Sequence, residues 1–151
     1  MLAAVERGDA QELAALMQQD PGFKVNMRLD QYGQTLLHYS CHDSNRSPVI
    51  PLLLAHPDID VNLKDVDGWT PFSYACFERL SCVRELLKDS RVNVNEPDDL
   101  GQTPLHRTAR YGSLDVIQWW IASGREMDLG RPGETGTTDA IGVARTGERQ
   151  W

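Results

Sequence analysis

The 4 histidines and 3 cysteines of this 151-residue chain are the side chains most suited to metal or thiol chemistry, and their spacing decides what they could do. His38 and His42 stand four apart with Cys41 between them, which places both imidazoles on one helical face and could hold a metal ion. Two ligands fall short of the three or four that such a site needs, and no carboxylate stands at a completing spacing. Cys41 and Cys76 would each need an aligned base to act as nucleophiles, and no Cys/His/acid set accompanies either. The stretch Gly130-Arg-Pro-Gly133 lacks the Lys-Ser/Thr continuation of a phosphate-cradling loop. No catalytic, cofactor or metal site is expected. The chain reads as a non-enzyme.

Charge narrows the partners. With 15 Lys+Arg against 22 Asp+Glu the formal net charge is −7, the wrong sign for a protein whose main task is to grip nucleic-acid phosphates. The longest apolar run, residues 49–55, is far short of the roughly 18 residues of a membrane span, and no secretory leader pattern opens the sequence. Three cysteines (Cys41, Cys76, Cys82) without CxxC spacing form neither a disulfide framework nor a metal cluster. They fit a reducing, intracellular setting, cytoplasmic or nuclear.

The elements that must position these residues emerge from self-similarity. Asp30-Gln-Tyr-Gly33-Gln-Thr35-Leu-Leu-His38, Asp65-Val-Asp-Gly68-Trp-Thr70-Pro-Phe-Ser73 and Asp98-Asp-Leu-Gly101-Gln-Thr103-Pro-Leu-His106 align, with a weaker echo at Gly136-Thr-Thr138. The glycines recur at intervals of 35, 33 and 35, and Val25-Asn26, Val61-Asn62, Val94-Asn95 and Met127-Asp128 repeat in phase. Each unit reads as a tight turn at the glycine, a threonine N-cap and, in two units, proline at the first helical position (Pro71, Pro104). A short helix and a second, amphipathic helix follow; Val116, Ile117, Trp120 and Ile121 share one face. Trp120 aligns with Leu87 and Trp119 with Leu86, so Trp120 is expected in the core and Trp119 at least half buried.

This pattern resembles the ankyrin repeat family, whose Asp-x-x-Gly-x-Thr-Pro-Leu-His signature stands almost intact at residues 98–106. The resemblance implies an all-α ankyrin-repeat solenoid of helix-turn-helix units joined by β-hairpin loops. The units are expected at 1–28 (a partial N-terminal cap), 29–63, 64–96, 97–131 and 132–151, the last ending before a second helix. That would leave Val143 and Ala144 uncovered, which suggests a piece of a longer protein. It further implies that His38 and His106 bond to backbone and the cap threonine, that Cys41 and Cys76 fill alanine-like packing sites, and that Asn62 and Asn95 hold loop backbone. Similar asparagines in the family can be hydroxylated. Two extra residues near 44–48 predict a longer inter-helix loop in the first full unit. Arg79 stands where a helix-ending glycine is usual, which predicts strain of about 1 kcal/mol.

The family resemblance also implies a protein-binding module whose concave face is built from hairpin tips and first helices. Equivalent positions form ladders across it: Gln34, Trp69, Gln102; His42, Phe77, Arg110, Arg145; and Glu78, Tyr111. The tips add Tyr32, Asp67 and Asp99. Trp69, Phe77 and Tyr111 would make a central apolar strip. Acidic residues gather at one end (Asp43, Glu78), whereas Arg110, Arg145 and Arg107 gather at the other. The expected partner is a protein or peptide with an acidic group and an apolar anchor, bound by a monomeric array. A self-contained inhibitor of an enzyme or transcription factor, and a scaffold segment of a larger enzyme, are the alternatives.

Overall fold

The computed structural model describes residues 1–111 and 113–129. Eight α-helices follow one another there: α1 (Leu2–Glu6), α2 (Ala10–Gln19), α3 (Leu36–Ser40), α4 (Ile50–Leu54), α5 (Pro71–Ala75), α6 (Leu80–Leu87), α7 (Pro104–Tyr111) and α8 (Leu114–Ala122). Contacts sort them into two layers. The first helices α1, α3, α5 and α7 touch in series, and so do the second helices α4, α6 and α8. No strand occurs among the described residues. The connecting fingers are tight turns, each closed by its own aspartate. The fifth unit expected at 132–151, with Arg145, lies outside the described residues.

Stacking makes one continuous core. Ala4, Val5, Leu13, Leu37, Ile50, Leu53, Phe72, Val83, Leu86 and Trp120 are each almost wholly removed from water. The valine-sized and larger side chains among them contribute roughly 1.5–3 kcal/mol apiece when fully buried, and no single unit could bury them alone. Trp120 meets Phe72 edge-on at 5.2 Å, tying the third full unit to the second. Gly68 shows why the turn demands glycine: φ is +80°, and a Cβ would stand 2.7 Å from the Asp99 backbone nitrogen of the next finger.

Three expectations change. The extra residues after α3 do not form a looser loop. They wind into a 3-10 turn (Ser44–Val49) that runs directly into α4, with the Asp43 carboxylate capping it through the Asn45 N–H. The left-handed residue between α5 and α6 is Glu78 (φ +64°), whereas Arg79 has φ −96° and precedes the second helix. The second helix starts nine residues after the first here (Pro71 to Leu80) and ten after it in the next unit (Pro104 to Leu114). Trp120 therefore matches Leu86, both fully buried, and the alignment of Trp120 with Leu87 is off by one. Trp119 then corresponds to Glu85 and is 41% exposed.

Candidate protein-binding surface

The finger aspartates organise the face formed by turns and first helices. Asp30 Oδ1 accepts from the N–H groups of Tyr32 (2.9 Å) and Gln34 (3.0 Å), and Asp65 Oδ1 accepts from those of Asp67 and Trp69. Asp98 repeats this with Leu100 and Gln102. The second carboxylate oxygen always takes a donor nine residues further on: the Tyr39 hydroxyl (2.8 Å), the Tyr74 hydroxyl, and in the third full unit the Arg107 guanidinium (3.2 Å). The offset of nine is constant and joins two like residues, Tyr39 and Tyr74, but the donor changes to Arg107 in the third full unit, so sequence likeness alone does not disclose that these side chains close the fingers.

Arg107 is accordingly a buried residue, 6% exposed, rather than part of the free basic end. It lies over the Trp69 indole, 3.0 Å from the ring centroid, and 5.1 Å from that of Phe77. A guanidinium paired with carboxylate and covering an aromatic face keeps its charge without bulk water.

Aromatic rings then run unbroken across the first helices. Tyr39 stacks on His42 (5.5 Å) and His42 on Tyr74 (4.6 Å); Tyr74 meets Trp69 (5.1 Å), Trp69 stacks on Phe77 (5.6 Å), and Phe77 contacts Tyr111 (4.5 Å). Three units are joined by one strip. Trp69 and Phe77 are half-buried within it, while Tyr111 is 47% exposed at its end beside exposed Arg110.

The remaining expected positions divide by accessibility. Tyr32, Asp67, Glu78 and Asp99 are exposed, as are Val66 and Leu100 at the finger tips. Gln102 is half-buried. Gln34 departs from its expected place on the free ladder: it is buried, and its amide donates to the Tyr74 hydroxyl at 2.8 Å. Lys64 is tied to Glu96 (2.8 Å) and to the Pro97 carbonyl (3.0 Å). Neighbouring fingers are themselves joined, since Val66 N–H donates to the Tyr32 carbonyl and Asp99 N–H to that of Asp67.

Other chemistry-bearing residues have internal roles. His38 accepts on Nδ1 from the Thr35 N–H (3.1 Å), and its Nε2 bonds the Trp69 carbonyl (3.0 Å), which occupies both ring nitrogens. His106 uses Nδ1 with Thr103 in the same way. Burial lowers the His38 pKa, and burial with nearby Arg46 lowers that of His42. Cys41, Cys76 and Cys82 are buried; burial raises the Cys41 thiol well above its ordinary value and pushes Cys76 up to about 12. Such thiols are poor thiolate sources. Asn26, Asn62 and Asn95 act as clips between units: each amide nitrogen donates to a carbonyl of the following unit (Asp58, Arg91, Glu126) and each amide oxygen accepts from a backbone N–H there.

A fold of stacked helix pairs, aspartate-closed fingers and threonine-capped first helices defines a repeat solenoid, and the family model for ankyrin repeats (three copies) matches residues 45–131. The chain belongs to the ankyrin repeat family, whose members are generally protein–protein interaction modules. It is 37% identical over 95 residues to SMC5-SMC6 complex localization factor protein 1 of Bos taurus, covering 62% of this chain and 8% of that protein. A putative ankyrin repeat protein of Rickettsia bellii is 32% identical over 99 residues, covering 66% of this chain and 54% of the relative. Human Rabankyrin-5 is 29% identical over 102 residues, 67% of this chain and 9% of its own length.

Proposed function

We propose that the chain is a non-catalytic recognition module that holds a protein or peptide partner on the finger and first-helix face. The observation that carries this reading is the aromatic strip ending in exposed Tyr111 and Arg110, beside finger tips that bring Tyr32, Val66 and Leu100 to the surface. A large apolar group beside a cation that bonds no group among the described residues suits a partner with an apolar anchor and an acidic group. Tyr32, Asp67, Glu78, Asp99 and Gln102 border it. Trp69, Phe77 and His42 act as its floor, and Gln34 supports it from below through Tyr74. An intracellular setting, cytoplasmic or nuclear, accords with three free buried thiols. Matches to 8% and 9% of the lengths of two relatives support a role as one module of a longer protein.

The test is affinity purification to identify the partner, followed by calorimetric titration. Tyr111→Ala and Arg110→Glu are each expected to weaken binding about tenfold or more, the scale of a central anchor, while leaving the fold intact. Affinity within twofold of wild type for both variants would place the partner elsewhere.

A further inference from the structure

The layer of second helices carries a feature that the finger-side reading does not use. Arg84 of α6 and Trp119 of α8 meet across the joint between two units, with the guanidinium carbon 4.3 Å from the indole centroid. They wall a groove of about 270 Å³ completed by Leu87, Lys88, Ala122 and Ser123. Packing does not require an indole at that site, because the matching position of α6 is Glu85, half-exposed. Nor does any group among the described residues take the hydrogen-bond donors of Arg84. Neighbouring cations differ: Lys88 pairs with Glu85 at 2.9 Å, Arg91 with Asp89 at 2.6 Å, and Arg125 bonds backbone carbonyls.

We propose that this groove is a second docking surface, which takes an acidic peptide segment carrying an apolar residue beside its carboxylate. A guanidinium resting on an aromatic face is fixed in orientation, and its free N–H edge matches the two oxygens of a carboxylate. The exposed part of Trp119, with Leu87 and Ala122, supplies an apolar floor. A basic segment would meet like charge at the Arg84 wall. The groove belongs to the opposite helix layer from Tyr111 and Arg110, so both surfaces can be occupied together.

Nitrogen-edited NMR on the whole chain tests this, with the Trp119 indole N–H as readout. The probe is a synthetic peptide of two aspartates followed by leucine, with blocked ends. Its titration is expected to shift that signal saturably, and Arg84→Glu is expected to weaken the peptide about five- to tenfold, the scale of one partly exposed charge-assisted contact. Arg84→Gln is expected to fall between them, and Tyr111→Ala to change nothing. The proposal is overturned by no shift at the highest soluble concentration, by equal shifts from a peptide with lysines in place of the aspartates, or by acetate reproducing the effect. Unchanged affinity in Arg84→Glu, or loss in Tyr111→Ala, also overturns it.

Discussion

Glu78 is the one described residue other than glycine with a positive φ, and it concentrates the difference between this array and an ideal one. The left-handed region costs a side-chain-bearing residue roughly 1–2 kcal/mol, because Cβ crowds the following carbonyl. Gly8, at the same junction of the first unit, has φ +68° with no such penalty. Glu78→Gly is therefore expected to stabilise the chain by about 1 kcal/mol, less the backbone entropy that glycine loses on folding. Urea unfolding followed by circular dichroism measures this; a destabilised variant would show that the Glu78 side chain makes a compensating contact. Sequence points to Arg79 rather than Glu78 because a unit one residue short between helix starts looks the same as one with a substituted glycine until the second helix start is known.

At the scale of elements, α7 is held to its own finger and to the preceding unit by one side chain. Arg107 bonds Asp98 at 3.2 Å and covers Trp69, and both partners of that ion pair are buried. Removing one member of such a pair leaves an uncompensated charge, so Arg107→Ala is expected to cost about 3–5 kcal/mol. Tyrosine serves the corresponding aspartates at positions 39 and 74. Arg107→Tyr should accordingly recover most of that loss in thermal unfolding, whereas equal damage from both variants would assign the stability to the cation over Trp69 rather than to the aspartate bond.

Across the whole molecule, two histidines couple the stacked units to pH. Burial depresses the pKa of His38, and burial with Arg46 depresses that of His42. Both groups are thus held neutral by the fold. Their contribution is complete above the ordinary histidine value of 6.5 and is lost as pH falls from there through the depressed folded values. Protonation of His38 would also end its acceptance from Thr35 N–H while Nε2 bonds the Trp69 carbonyl of the next unit. Urea midpoints are expected to drop as pH falls from 7 toward 5, with the slope reduced in His38→Gln/His42→Gln. A flat profile in the wild-type chain would overturn the coupling.

The sequence by itself determined the period, the helix pairs, the capping threonines, the turn glycines and the burial of Trp120, because these follow from local geometry repeated at a fixed interval. Tyr32, Tyr111 and Arg110, which the repeat assigns to tips and ladders, are exposed. Only the tertiary structure decided that Arg107 and Gln34 turn inward, that Trp119 emerges on the opposite layer, and that Glu78 takes the strained turn. Those of Arg107 and Gln34 depend on what the adjacent unit presents, an indole over which a guanidinium can lie or a hydroxyl that an amide can reach, and that of Glu78 on a helix-start spacing one residue short within its own unit. Neighbouring units differ in these details while sharing one signature, so contacts between them are set by pairs of residues about 30 to 40 positions apart, beyond the reach of any local pattern.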